Sequence, residues 1–149
     1  MSLGPKWQAM GREAAIAAQQ LARGVTALGK TNHAQKGLYG EAFFSLSIGL
    51  ERLAKLITIS EFAINNTGQF PGNGYLKKFQ HNLPDLIKEC NSISAVRRSG
   101  KKFTERPSSD IHKGILLTLT EFAELSRYYN LDLIAGGPGK KLPEPISAW

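Results

Sequence analysis

Residues 37–66 read GLYGEAFFSLSIGLERLAKLITISEFAINN, a run without proline. Within it Phe43, Leu46, Leu50, Leu53 and Ile57 step by three and four, the rhythm of a helix that buries one stripe. Such a helix is not stable alone in water, so the remaining chain must supply its partners. Glu41, Ser45, Glu51, Arg52, Lys55 and Glu61 fall on its other faces. Glu51 and Lys55 stand four apart with the acid first, the favourable order for a helical ion pair. They are read as polar anchors.

Working outward, Met10, Ala14, Ala17, Leu21, Val25 and Leu28 keep the same step. They predict a first helix over 10–28, closed by Gly29. Residues 31–36 form a short link, which favours an antiparallel neighbour. On the other side, Pro71-Gly72 and Asn73-Gly74 mark a loop, and 76–80 fits one helical turn. Asn82-Leu83-Pro84-Asp85 reads as a helix start. The third helix then carries Leu83, Leu86, Ile87, Cys90 and Ile93 on one stripe and frays near Arg97. Ser108, Ser109 and Asp110 are all good caps. They open a fourth helix over 110–130, with Ile111, Ile115, Leu116, Leu119, Phe122, Ala123 and Leu125 on a broad apolar face, and Leu131 to Ile134 extend it or form a short turn. Gly136 to Gly139 break it, and residues 137–149 are expected as an extended, flexible tail.

No stretch alternates with the period of a strand. The expected fold is therefore all-α, an up-down four-helix bundle with short extra turns, as one domain over residues 1–136. The 149 residues, 42% of them hydrophobic, suffice for one core. One cysteine, Cys90, excludes an intramolecular disulfide, and with no apolar span of membrane length a cytoplasmic protein without membrane contact is expected.

Nineteen basic against twelve acidic residues give a net charge of +7, which points to RNA or another polyanion as partner. Residues 97–106, RRSGKKFTER, carry a net +4. Arg97, Arg98, Lys101 and Lys102, with Lys113 beyond them, are the candidate nucleic-acid contacts. Signals for other chemistry are thin. His33, His81 and His112 share no metal-ligand spacing, and no phosphate-cradling loop or nucleophile motif occurs. No metal and no cofactor is expected. His81 is read as a structural polar residue. Arg127 with Tyr128, Tyr129 and Asn130 either contacts a ligand or ties a helix end to a neighbour, and is assigned the structural role.

One pair remains. Arg106 and His112 bracket the start of the fourth helix, just after the basic segment. A histidine can take the proton from a ribose 2′-hydroxyl, which then attacks the adjacent phosphate, while an arginine stabilises the developing charge. No metal is needed.

Three phrases, EAFFSLSIGLERLAKL (41–56), KKFQHNLPDLI (77–87) and ELSRYYNLDLIAG (124–136), resemble HEPN-superfamily proteins, including abortive-infection-type bacterial families. The resemblance spans about residues 37–136. It implies an all-α bundle and a dimer in which two arginine–histidine motifs face each other. Arg106 and His112, five residues intervening, fit the family's motif of a metal-independent RNase. The implied role is an RNase or RNA binder of a toxin or defence system, with an antitoxin-type protein partner. The alternative is a non-catalytic, homodimeric helical module for protein interaction or ligand binding.

Overall fold

The computed structural model describes residues 4–32, 34–72, 74–79, 81–98, 108–135 and 144–149. Among these residues the protein is all-helical, with no strand. Six α-helices follow one another: α1 (Pro5–Leu28), α2 (Gly37–Asn65), α3 (Leu83–Arg97), α4 (Asp110–Glu121), α5 (Tyr129–Ile134) and α6 (Pro145–Ala148). A 3-10 turn, Leu76–Phe79, precedes α3, and a π-helical segment, Phe122–Ser126, follows α4.

The helix α2 ends within one residue of its expected limits and is the element the others pack on. It meets α1 along the most extensive interface, and α3, α4 and the π segment on its remaining sides. The interface with α1 is built from small residues. Gly24 lies so close to α2 that a Cβ there would stand 2.6 Å from Leu46 Cγ and 3.0 Å from its backbone nitrogen. Gly49 meets Leu21 reciprocally, at 2.9 Å to Cγ and 3.0 Å to the backbone nitrogen. Ala17 and Ala27 on α1 are buried as well, and α2 also buries Ser45, Ser47 and Thr58 along its length. Buried hydroxyls need acceptors, and α2 supplies them from its own carbonyls: Ser47 Oγ donates to Phe44 O at 3.0 Å and Thr58 Oγ1 to Lys55 O at 2.9 Å.

This close approach corrects both expected stripes. Val25 is 63% exposed, because the seam of α1 runs through Gly24 and Ala27. On α2 Phe43 is fully buried, yet Leu53 and Ile57 are 40% and 37% exposed. A side chain at Gly24 or Gly49 would hold the helices apart; Leu46 and Leu21 fill the space above these glycines, and Val25, Leu53 and Ile57 stand beside the seam. The first helix also begins earlier than expected, at Pro5, a residue suited to a first turn.

The core lies on the opposite side of α2. Phe43, Ala54, Phe79, Leu83, Leu86, Leu119 and Phe122 form one buried cluster, and the Phe43 and Phe122 rings meet edge-on at 5.6 Å. The start of α3 follows its signal: Asn82 Oδ1 accepts from Asp85 N at 3.0 Å, capping the helix before Leu83 and Pro84. Among the described residues no buried side-chain polar atom lacks a hydrogen-bond partner.

Two further expectations need correction. The fourth helix is not continuous to residue 130. It widens into the π segment, where Ser126 Oγ donates to the Glu121 carbonyl five residues back at 3.4 Å, and turns at Arg127 and Tyr128 before α5. A π turn takes one more residue than an α turn, which moves the following side chains around the axis. The end of the chain is not extended where it is described. Glu144 caps α6 by accepting from Ser147 N at 3.0 Å, and Trp149 packs on Phe43 with ring centroids 5.1 Å apart. Burial of Phe43 under an indole gives this segment a reason to dock. The expected domain limit at residue 136 lies outside the described residues, as does His33.

Candidate functional site

His112 occupies the first turn of α4 and is exposed. Ser109 precedes that helix at its cap position but makes no capping bond with its side chain. Its Oγ instead shares a 2.7 Å hydrogen bond with His112 Nδ1. That bond fixes one ring nitrogen and leaves Nε2 for other chemistry. One residue on, Lys113 reaches back to Asp110 at 3.1 Å, both side chains being well exposed. Arg106, Lys101 and Lys102 lie outside the described residues, and with them the pairing of Arg106 with His112.

Of the other candidate cations, Arg97 is bound within the fold. Its guanidinium donates to both oxygens of Glu61, at 2.8 and 3.0 Å, and to Asn65 Oδ1 at 2.8 Å. A fork on a carboxylate is a directional contact; here it ties the end of α3 to the end of α2. Hydrogen bonds from Arg97 are the chief cause that holds the Glu61 carboxyl below its usual range. Arg98 lies in the turn that follows.

Glu51, Lys55 and His81 come together as a polar anchor. Glu51 Oε1 accepts from Lys55 Nζ at 2.5 Å, and its Oε2 bonds His81 Nδ1 at 2.9 Å. The residue before the cap of α3 is thereby pinned to the middle of α2. Burial pushes the Glu51 carboxyl up, and the bonds to His81 and Lys55, with their charges, outweigh it, so that its pKa is lowered. A second ion pair, Arg52 with Glu13, joins α2 to α1. Cys90 faces the core side of α3, where its thiol contacts Ala54 O at 3.6 Å. Burial, then the neighbouring Glu89, pushes that thiol up, away from nucleophilic use.

A second concave feature lies elsewhere. An open cleft of about 850 Å³ forms between the amino end of α2, the turn after the π segment, and residues 144–146. Arg127 lines it with its guanidinium 5.1 Å from the centre of the Phe44 ring. Tyr128, Asn130 and Lys36 also line it. Sequence reasoning named Arg127 and Tyr128 but not Lys36, Phe44 or Ile146. The RYYN phrase was the only local signal; the cleft itself needs the change of direction in the π segment.

Among the described residues no group of three histidine, cysteine or carboxylate side chains could hold a metal ion, and no helix is long and apolar enough to cross a membrane. No protein-family model matches the chain, and neither a curated protein nor a solved structure gives a match.

Proposed function

We propose that this chain is an HEPN-like protein, an up-down four-helix bundle, that binds RNA and cleaves it without metal. The observation that carries the reading is His112: an exposed imidazole in the first turn of α4, oriented by Ser109 and set six residues beyond the end of a segment of net +4. In this reading Nε2 takes the proton from a ribose 2′-hydroxyl. The 2′-oxygen attacks the adjacent phosphorus, the bond to the 5′-oxygen breaks, and the proton held by the imidazolium passes to that oxygen, directly or through water, so that a 2′,3′-cyclic phosphate and a 5′-hydroxyl result. Arg106 stabilises the charge that develops on the phosphoryl oxygens. Lys101, Lys102, Arg98 and Lys113 hold the flanking phosphates. A homodimer brings two such sites together, and the defence role follows from the same resemblance.

The test is RNA cleavage by wild type and His112→Ala with EDTA present. Wild type is expected to cleave, and the variant to lose about 10²–10⁴-fold in rate, the usual contribution of a general base. Equal rates would overturn the assignment of His112.

A second reading, a non-catalytic module that docks onto a second copy or an antitoxin-type protein, is favoured by one observation. Ile111 and Leu117 on α4 and Leu131, Leu133 and Ile134 on and around α5 are strongly exposed. Leu131, Leu133 and Ile134 fall within one short helix, and an apolar patch that is contiguous marks an interaction surface. It expects no cleavage and a mass in solution above that of one chain.

A further inference from the structure

The cleft between the amino end of α2 and the turn after the π segment combines an apolar wall with two cations. Phe44, Tyr128 and Ile146 contribute the wall, and Lys36 and Arg127 the charge. Two carboxylates also line it, and both are engaged. Glu41 faces Arg23 at 3.6 Å, and Glu144 accepts from Ser147 N and Oγ at 3.0 and 2.9 Å. Among the described residues neither Lys36 nor Arg127 has a carboxylate partner. Arg127 is instead held over the Phe44 ring at 5.1 Å, a contact that orients the guanidinium while its N–H groups stay available. A volume of about 850 Å³ is within the usual range for small-molecule sites.

We propose that this cleft binds a small aromatic anion, an aryl carboxylate or aryl phosphate, its ring on the Phe44–Tyr128–Ile146 wall and its oxygens on Arg127 and Lys36. Planar oxyanions match the fork of a guanidinium. The apolar wall distinguishes such a ligand from bare phosphate. The site is independent of His112. Phe122 follows His112 by ten residues, about 15 Å along a helix at 1.5 Å per residue, so the cleft adjoins the opposite end of α4.

Calorimetric titration of the full chain with 2-naphthoate, 2-naphthyl phosphate, 2-naphthylmethanol and acetate tests this. At least one naphthyl anion should saturate at one per chain, and the tighter of the two identifies the anionic group. The neutral alcohol and acetate should each bind at least about tenfold more weakly, since one lacks the charge-assisted bonds and the other the ring. Arg127→Gln should weaken the anion about tenfold or more, while Arg12→Gln on α1 leaves it unchanged. If Arg127→Gln does not fold, as judged by circular dichroism, Lys36→Gln is read in its place. Saturation by neither anion at millimolar concentration overturns the proposal. So does equal affinity for the alcohol, or an Arg127→Gln or Lys36→Gln variant that binds as wild type does.

Discussion

Glu51 is the residue on which two helices and a loop agree. Its carboxylate takes bonds from Lys55 and His81, and its lowered pKa makes the anchor pH-dependent. A group with a lowered folded-state pKa contributes stability above its unfolded pKa, and loses it as pH falls through the folded value. Glu51→Gln should therefore cost about 1.5 kcal/mol near neutral pH, and the two proteins should converge below the ordinary glutamate range. Urea unfolding from pH 3 to 7 would show it; a difference constant with pH would refute it. Thr67 offers the opposite case. It holds φ at +50° just before Gly68 at +85°, a region where a β-branched residue is strained. Thr67→Gly should stabilise the protein, or at worst leave its midpoint unchanged, because relief of about 1 kcal/mol of strain works against added chain entropy. A clear fall in the unfolding midpoint would contradict it.

At the scale of the element, the glycines divide by what lies above them. Gly24 and Gly49 have backbone within 3.0 Å of a notional Cβ, whereas Gly11, on the same helix as Gly24, has nothing within 4 Å. Gly24→Ala should destabilise by about 1–3 kcal/mol through overpacking, and Gly11→Ala should stabilise by about 0.5–1 kcal/mol through the helix preference of alanine. Chemical denaturation of the two variants decides, and the same sign for both would count against the seam. The limits of α2 and the starts of α3 and α4 were readable because end signals act locally: Asn82 and Pro84 set the start of α3 from within the segment itself. Which face is buried was less readable. Periodicity weights bulky residues, while the α1–α2 seam selects small ones, so Val25 and Ile57 were assigned to an inside they do not occupy. The π segment was hidden for a related reason. FAELS is compatible with an ordinary helix, and the extra residue is absorbed only in the context of the core around Phe43 and Phe122.

For the whole molecule, charge and surface pattern govern what can be expected. If RNA is held by the basic segment and its neighbours, affinity should fall steeply with salt, with a log–log slope near −0.7 for each phosphate neutralised on a single strand. A binding titration at several salt concentrations measures this, and no binding at low salt would remove RNA from consideration. The place of His112 at the start of α4 was legible because Ser108, Ser109 and Asp110 signal that start locally, whereas residues 99–106 of the cationic segment lie outside the described residues. The cleft was not legible, since Lys36, Phe44, Arg127 and Ile146 meet only after α2, the π segment and residues 144–146 pack.

The reciprocal sockets at Gly24 and Gly49 also fix what kind of motion the molecule can make. Leu46 seats over one glycine and Leu21 over the other, so sliding α1 by one turn would bring Gln20 or Leu28 to the place of Gly24, where no side chain fits. The two long helices are thus keyed like a lock, and they are expected to move as one body. Any rearrangement that accompanies ligand or partner binding must hinge on the side of α3, α4 and the π segment. Amide exchange should follow that division, slowest where the key sits at the middle of α1 and α2, and faster over α5.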